Sequence, residues 1–376
     1  MRSKVERRPT RLVRNRNLVA YWRDGEFVVE DFERRRQITA APLVALLLGA
    51  FEKPRSIPQV TRELARFEPR SVGKEIRVLF RLGFLVDARN RKKGRDLFRV
   101  WQDSFPAIYY QSTSRDAVYV TELPQKLDLV QSMLTESPQP ATHKVYARSK
   151  QVALPNTGRN PTAPFGRVLA ERRTVRHFAP KKVSLADFAA VIRGTWGQTG
   201  WIDAGPLGRL PVKTSPSAGS RHPIECYVLC WRVQDLASGL YHYRVQGDRL
   251  ELLRAGDFRY EAVRMASGQD WIRDAAFLCV MTAVTGRVFW KYRLADAYRL
   301  FFLDAGHLAQ TFSLLATALR LGPFTTAALQ ESRIERFCGL DGIEEFPVYL
   351  CGAGTLSEMA PNPISELEPI SNSRRP

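Results

Sequence analysis

The sequence has few of the residues that form disulfides or bind metals. Its 376 residues include five cysteines and five histidines. The cysteines form no CxxC pair and their number is odd, so neither a disulfide framework nor a zinc site is indicated. No run approaches the about 20 apolar residues of a membrane span. The charged first residues precede no apolar stretch typical of a secretory signal, and a reducing cytoplasm is expected.

Negative charge is also scarce. Lys and Arg number 57 against 38 Asp and Glu, a net charge of +19. The first hundred residues hold 25 basic and 12 acidic side chains, and so carry 13 of these excess charges. Such a charge attracts anions generally and does not select among nucleic acid, phosphates, acidic peptides and anionic lipid. A length of 376 residues suits two domains. The 44% of hydrophobic residues is an ordinary globular fraction that argues against wholesale disorder.

Residues 1–100 predict a small winged-helix-like domain. The run Leu18–Glu30 alternates about an Asp-Gly turn, which is typical of a hairpin. Thr39 is predicted to cap an apolar helix and Ser56 a second one. A third helix should run from Ser71 to Gly83, and Phe84–Val86 should form a returning strand.

Residues 165–356 predict a second, larger domain, reached through a connecting region at 101–164 and followed by a tail at 357–376. The elements expected here are, in order, a helix capped by Ser184, strand Ile224–Trp231, a hairpin within Gly239–Leu253, a buried strand Ala276–Ala283, a long helix Asp296–Leu321 stopped by Gly322-Pro323, and strand Pro347–Cys351. Four cysteines fall in or at the ends of these strands, which argues against a thiol mechanism.

Three segments of this domain have residue types that carry chemistry. Arginines and a hydroxyl in Arg172-Arg173-Thr174-Val175-Arg176 can grip a phosphate, and a surface basic patch is the ordinary alternative. The small residues of Ser215–Ser220, bracketed by prolines, let the main chain approach a flat ligand, or form a plain turn. Lys291-Tyr292 offers a proton acceptor and a donor, or an amphipathic helix start.

Five segments occur together and in order: RRTVRHF, SPSAGSRHPIE, GLYHYRVQGDRLELL, KYRLADAYR and LDAGHLAQTFSLLATALRLG. As a set they resemble the SagB-type dehydrogenases, over about residues 165–354. These flavin enzymes of the nitroreductase superfamily include the azoline oxidases of thiazole/oxazole-modified peptides. The resemblance implies an α+β, nitroreductase-like FMN fold, with a mixed central sheet flanked by helices. The N-terminal domain resembles the peptide-recognition domains that accompany such enzymes.

The resemblance implies FMN as cofactor and no metal. The phosphate and the pyrimidine edge would be held by Arg172, Arg173, Thr174 and Arg176. The isoalloxazine would lie along Pro216, Ser217, Ala218, Gly219 and Ser220. A backbone N–H near Thr326 and Ala327 would approach N5 or O4 of the ring system, although the family often has glycine where Ala327 stands.

The resemblance also assigns Lys291 and Tyr292 to catalysis. The expected reaction oxidises thiazolines or oxazolines to thiazoles or oxazoles in a ribosomally made peptide. One hydrogen would leave as hydride to the flavin and the other as a proton to Tyr292 or to neutral Lys291. The implied partners are the azoline peptide, a cyclodehydratase complex and a second copy of the chain, with the long helix as a candidate dimer core. Membrane and nucleic acid are not expected partners.

Two other functions compete with this one. An NAD(P)H-dependent nitro or enone reductase of the same fold would be reduced rapidly by nicotinamide and would not need Lys291-Tyr292. A basic winged-helix protein with a degenerate ligand-sensing domain would bind nucleic acid, and its affinity would fall steeply with salt.

Overall fold

A computed structural model of the chain describes residues 11–64, 66, 69–89, 97–156 and 161–357. The chain divides into two compact units, Met1–Ala117 and Val118–Pro376. The predicted tail lies outside the described residues beyond Ser357. Among the described helices, none has both the length and the apolar character that crossing a bilayer requires.

The first unit contains the hairpin, the three helices and the returning strand that the sequence predicts. Its elements are β1 (Leu12–Arg14), β2 (Leu18–Arg23), β3 (Glu26–Asp31), β4 (Arg36–Thr39), α1 (Pro42–Ala50), α2 (Ile57–Glu63), α3 (Pro69–Leu82), β5 (Leu85–Asp87), α4 (Leu97–Val100) and α5 (Phe105–Thr113). Strands β2, β3 and β4 form an antiparallel sheet with β2 at one edge, and β1 pairs with β5. The helices cover a core that includes Leu47, Phe51 and Ile76.

One predicted helix cap is wrong. Thr39 is the last residue of β4, where it pairs with Val28, and its hydroxyl donates to Glu26. Helix α1 instead begins at Pro42 after Ala41, because proline has a helix-compatible φ and needs no N–H partner in the first turn. Ser56 does cap α2, as predicted, in a reciprocal capping box with Gln59.

The second unit has helices on both faces of a seven-stranded sheet. Its elements are α6 (Leu123–Glu136), β6 (Lys150–Ala153), α7 (Phe165–Glu171), α8 (Leu185–Trp196), β7 (Gln198–Asp203), β8 (Arg209–Lys213), β9 (Ile224–Cys230), β10 (Gly239–Arg244), β11 (Arg249–Ala255), α9 (Arg259–Met265), β12 (Phe277–Val284), α10 (Thr285–Phe289), α11 (Tyr298–Ala318), β13 (Leu321–Thr326), α12 (Glu331–Cys338) and β14 (Glu345–Thr355). The strand order is β13-β14-β12-β9-β10-β11-β6, and β7 pairs with β8 separately.

Alternation along the central strands produces two apolar layers. Cys226 and Val228 of β9 face a core shared with α8 and α11, whereas Tyr227 and Leu229 face a second core shared with α9 and α12. This arrangement confirms the α+β class. The sheet was expected to be mixed, but its six strand pairings are antiparallel. The reason is that α9 and α11 lead the chain to strands that do not neighbour the ones they leave.

Two further expectations need correction. Helix α11 ends at Ala318 rather than near Leu321, because Arg320 has a left-handed φ of 60° and the chain then enters β13. Gly322 and Pro323 are therefore strand residues paired with β14, not a helix stop. The stretch 101–164 is also more than a connection, since it supplies α5 to the first unit and α6 and β6 to the second.

Candidate functional site

The loop between β8 and β9 lies against α11. Ser215 is buried and its hydroxyl is 2.7 Å from that of Thr311. Asp304 lies about two turns nearer the N-terminus of α11 than Thr311. Its carboxylate accepts hydrogen bonds from the Ser217 side chain and the Ala218 N–H. The loop that the resemblance aligns with the flavin ring is therefore held by its hydroxyl and backbone groups rather than by apolar packing.

The loop backbone is strained at its C-terminal end. Gly219, Ser220 and His222 have φ values of 58°, 52° and 43°. For non-glycine residues such conformations cost about 1 kcal/mol or more each and persist where surrounding contacts enforce them. Here the His222 N–H donates to Ser217 Oγ at 2.9 Å, and Arg287 donates to the His222 carbonyl at 3.0 Å.

Lys291 and Tyr292 meet this strained segment directly. A Cβ atom on Gly219 would lie 2.5 Å from Tyr292 Oη and 2.7 Å from Lys291 Nζ. Lys291 Nζ also lies 5.4 Å from the centre of the Tyr292 ring. The structure thus joins two of the three sequence motifs into one group, which we call the Lys–Tyr cluster: Gly219, Arg221, Lys291 and Tyr292.

The neighbours of the pair come from a segment that sequence analysis treated as a connection. Trp290 Nε1 donates to Ser137 Oγ at 3.0 Å, and Arg293 forms an ion pair of 2.5 Å with Glu136. Both partners lie at the C-terminal end of α6, so this helix fixes Lys291 and Tyr292 from either side. No sequence pattern near Glu136 indicated this role.

The environment shifts the pKa values of Lys291 and Tyr292 in opposite directions. Burial and the nearby Arg221 guanidinium both lower the pKa of Lys291. Burial raises the pKa of Tyr292, and the charge of Arg221 only partly opposes this. Lys291 is therefore the member that loses its proton more readily, while Tyr292 keeps its hydroxyl as a donor.

Sequence reasoning missed two functional candidates here. Burial raises the pKa of Asp304 to about 6, although Ser217 and Ala218 donate to it. Arg221 is 3% exposed, and its Nε donates to the Gly219 carbonyl at 3.1 Å. The signal for Asp304 was present, because an aspartate in the apolar run Leu303–Ala305 of a helix demands a polar partner.

The arginine cluster, defined as Arg172, Arg173, Thr174 and Arg176, follows the end of α7. Arg173 Nη1 donates to the carbonyls of Ala170 and Arg172 at 2.9 and 2.7 Å, which caps the helix. The Arg176 guanidinium lies 5.7 Å above the Trp271 ring. Of the four residues, Arg173 is thus the one committed to the fold.

Thr326 and Ala327 lie near the arginine cluster in the fold. The Val175 N–H donates to the Pro323 carbonyl of β13 at 2.8 Å. At the other end of β13, Gln269 donates to Thr326 Oγ1 at 2.8 Å, two residues from the Trp271 that meets Arg176. The structure therefore groups the arginine cluster with Thr326-Ala327.

Within one chain this group is far from the Lys–Tyr cluster. The loop holding Gly219 contacts α11 at Asp304, whereas Glu171, which precedes the arginine cluster, pairs with Arg320 beyond the other end of α11. Fourteen helical steps separate Asp304 from Ala318, which is about 21 Å. Within one copy the two groups therefore attach to α11 at well-separated points.

The residues present nevertheless fit a flavin nucleotide. Each group contains a buried guanidinium nitrogen without a partner in the described part of the chain, Arg173 Nε in one and Arg221 Nη2 in the other. Arg172 and Arg176 form no ion pair among the described residues, so both remain available to a phosphate. The Cβ-free face of Gly219 supplies the close backbone approach that a planar ring needs.

Comparison with known proteins agrees with this architecture. Residues 169–355 match the nitroreductase family. The second unit is a nitroreductase-family domain. The chain is 24% identical over 313 residues to the trifolitoxin-processing protein TfxB of Rhizobium leguminosarum bv. trifolii, covering 78% of this chain and 82% of that protein. The resemblance drawn from the motifs is thereby confirmed.

Two further matches cover a smaller part of the matched protein. The trifolitoxin operon protein TfxC of the same organism is 31% identical over 124 residues, 33% of this chain and 34% of that one. A crystal structure of a nitroreductase homologue from Anabaena variabilis superposes with a TM-score of 0.51 at 21% identity, over 66% of this chain and 47% of that chain. The chain thus spans about half of that structure, which supports the nitroreductase fold alone.

Proposed function

We propose that this protein is an FMN-dependent dehydrogenase that oxidises thiazolines or oxazolines to thiazoles or oxazoles in a ribosomally made peptide. The observation that carries the proposal is the contact of Lys291 and Tyr292 with Gly219. A proton acceptor and a donor thereby adjoin the loop assigned to the flavin ring, and simple nitroreductases do not need that pair. The similarity to a protein named for toxin processing favours a peptide substrate.

In this reaction the chain handles protons and orientation. Lys291, whose pKa burial and Arg221 lower, accepts the proton from one ring carbon. Tyr292 keeps its proton and orients the ring or the neighbouring carbonyl by a hydrogen bond. Bound FMN would supply the two-electron oxidant that takes up the second hydrogen with its electron pair.

The cofactor would be held by two separate sets of groups. Arg172, Thr174 and Arg176 hold its phosphate and pyrimidine edge, with Arg173 contributing Nε. The backbone of Pro216–Ser220 supports the ring system. A backbone N–H near Thr326 and Ala327 completes the site, and alanine leaves this contact intact because the amide, not the side chain, makes it.

The points at which the two sets attach to α11 are about 21 Å apart along the helix, and we propose that a homodimer completes the site by bringing one set from each copy together. The middle of α11 offers a face for this contact. Phe302 and Leu303 are 46% and 51% exposed. Gly306 follows on the same side of the helix, four residues after Phe302 and three after Leu303, and a Cβ added to it would meet no atom within 4 Å. Two apolar side chains beside a bare backbone patch suit close helix packing against a second copy.

The first unit would hold the leader segment of the peptide or a partner enzyme. A groove of about 550 Å³ opens beside edge strand β2, lined by Arg14, Arg16 and Glu52 together with the apolar Val19 and Leu48. An extended peptide can add to such an edge as a further strand. Arginines at its rim favour an acidic segment. Arg14→Glu should weaken leader-peptide affinity about tenfold, whereas Arg77→Glu, at an exposed position on α3 outside the groove, should leave it unchanged.

The central test is the Lys291→Ala/Tyr292→Phe protein assayed with an azoline-containing peptide. It should fold, bind FMN and show a flavin spectrum, but convert no azoline. The matched control is Lys150→Ala/Tyr260→Phe, at exposed positions away from the site, which should retain turnover. Azoline turnover by the first variant refutes the assignment. Rapid flavin reduction by NADPH in both variants, without azoline turnover in the wild type, identifies a nitro or enone reductase instead.

A further inference from the structure

Arg221 is a buried cation that forms no ion pair with any acidic side chain in the described part of the chain. Its side chain is 3% exposed and Nη2 has no hydrogen-bond partner among the described residues. Its Nε donates a 3.1 Å hydrogen bond to the Gly219 carbonyl. Burying a charge without a carboxylate costs several kcal/mol, so a residue of this kind indicates a function that uses the charge.

The surrounding backbone holds Arg221 in that position. Ser220 and His222, on either side of it, have left-handed φ values of 52° and 43°. Three hydrogen bonds of His222 fix the turn. Its N–H donates to Ser217 Oγ and its carbonyl accepts from Arg287. Its ring Nε2 donates to the Pro211 carbonyl at 3.1 Å. Strain of this kind concentrates where a fold must aim a particular group.

We propose that Arg221 is a positioning residue whose charge favours the neutral amine form of Lys291, the form that can accept the substrate proton. This inference rests on the proposed function, in which Lys291 is the base. In that step one proton passes from a ring carbon to Lys291 Nζ, and the second hydrogen with its electron pair leaves to the flavin oxidant.

The charges around the pair support this assignment. The groups acting on Lys291 and Tyr292 from neighbouring elements are Arg221 from the loop, Asp304 from α11 and Tyr119 from the segment before α6. Arg221 alone among these is a cation. Arg221 donates to the Gly219 carbonyl, and Lys291 Nζ lies 2.7 Å from the Cβ position of the same glycine, so both cations adjoin one residue. A like charge placed there disfavours the ammonium form, and it adds to burial, the larger cause, in lowering the pKa of Lys291.

The test measures the protonation of Lys291 without requiring turnover. Full-length wild type, Arg221→Met and Arg221→Lys are treated with acetic anhydride between pH 6 and 10, and acetylation of Lys291 is followed by peptide mass spectrometry. Arg221→Met should slow Lys291 acetylation at least about threefold at pH 8. Arg221→Lys, which restores a cation, should follow the wild type. Arg249→Met, which removes an exposed cation on β11, should also follow it.

Superimposable profiles for wild type and a folded Arg221→Met overturn the proposal. Should Arg221→Met not fold, the Arg221→Lys protein decides, because slower Lys291 acetylation despite a cation at this position contradicts a charge effect. Azoline turnover recorded on the same proteins should lose activity below pH 8 in Arg221→Met and recover in Arg221→Lys. A wild type that converts no azoline refutes the proposed function alone, because the acetylation profiles still decide the role of Arg221.

Discussion

Tyr292 Oη lies 2.5 Å from the position that a Cβ atom on Gly219 would occupy. The loop and the Lys–Tyr pair are therefore fitted to each other to within the size of one methyl group. Gly219 also has a φ of 58°. Glycine therefore suits this position twice, because it adopts this φ without strain and because it has no Cβ to clash with Tyr292. This contact joins residues 73 positions apart and is the basis of the proposed active site.

Gly219→Ala should abolish azoline turnover. The added methyl must displace the Tyr292 hydroxyl and the Lys291 amine, and left-handed alanine costs about 1 kcal/mol in addition. Gly339→Ala is the matched control, because Gly339 has a φ of 72° and open space around its Cβ position. In thermal unfolding both variants should show the cost of backbone strain, and Gly219→Ala should lose more stability because of the added clash. Equal loss of turnover in the two proteins would show that strain, not the contact, matters.

Azoline turnover should rise with pH and reach a plateau. A base must be deprotonated, so kcat/KM falls as pH drops through the pKa of Lys291. Burial and Arg221 lower that pKa, so the midpoint should lie below that of an exposed lysine. Tyr292→Phe should keep this acid limb, since the raised pKa of Tyr292 leaves it protonated throughout. An acid limb that vanishes in Tyr292→Phe would assign the base to the tyrosine instead.

Asp304→Asn should gain stability relative to the wild type as pH rises from 4 to 7. Burial raises the pKa of Asp304 from 3.8 to about 6, so the folded state binds more protons than the unfolded state between these values. Stability from this group falls as pH rises through that window, by on the order of 2 kcal/mol. Urea unfolding of both proteins at several pH values measures the difference.

Asp341→Asn provides the control of opposite sign for that measurement. Three backbone N–H groups donate to the Asp341 carboxylate and lower its pKa. The wild type should therefore exceed this variant in stability near neutral pH, and the advantage should fade on acidification. If the stability advantage of the wild type over Asp304→Asn also faded on acidification, the raised pKa of Asp304 would be contradicted.

Arg172→Gln should weaken FMN binding about tenfold or more, while riboflavin binding stays within twofold. The reason is that a guanidinium recognises the phosphate, which riboflavin lacks. Arg173→Gln should affect the two ligands alike and lower stability, because Arg173 caps α7 through two carbonyls. Fluorescence titration of the flavin-free proteins measures both affinities. Parallel losses for FMN and riboflavin in Arg172→Gln would place the phosphate elsewhere.

Phe302→Glu should convert a dimer into a monomer and remove bound flavin with it. A carboxylate at the centre of an apolar helix contact costs several kcal/mol. Tyr260→Glu is the control, because Tyr260 is 61% exposed and belongs to α9, which packs on the sheet face opposite α11. Light scattering with simultaneous absorbance at 450 nm reports mass and flavin together. A Phe302→Glu monomer that retains full flavin would show that one chain completes the site.

Local signals in the sequence were reliable where a few neighbouring residues decide the conformation. Ser56 and Ser184 cap their helices as predicted, and the hairpin at Asp24-Gly25 has the positive φ values that such a turn requires. Thr39 and Gly322 misled because strand pairing outweighed a local preference. At both positions a distant strand, rather than the adjacent residues, supplied the backbone partners.

The amino-acid pattern by itself determined the α+β class, the buried strands and the three segments with reactive side chains, because these follow from periodicity, turn chemistry and residue type over short distances. Only the tertiary structure decided that Lys291-Tyr292 meets Gly219 and that Asp304 and Arg221 hydrogen-bond the loop around this glycine. It also decided that the arginine cluster lies at the far end of α11. Those relationships join residues up to 149 positions apart through sheet order and helix packing. Burial, which shifts the pKa values of these groups, exists only after the chain has folded.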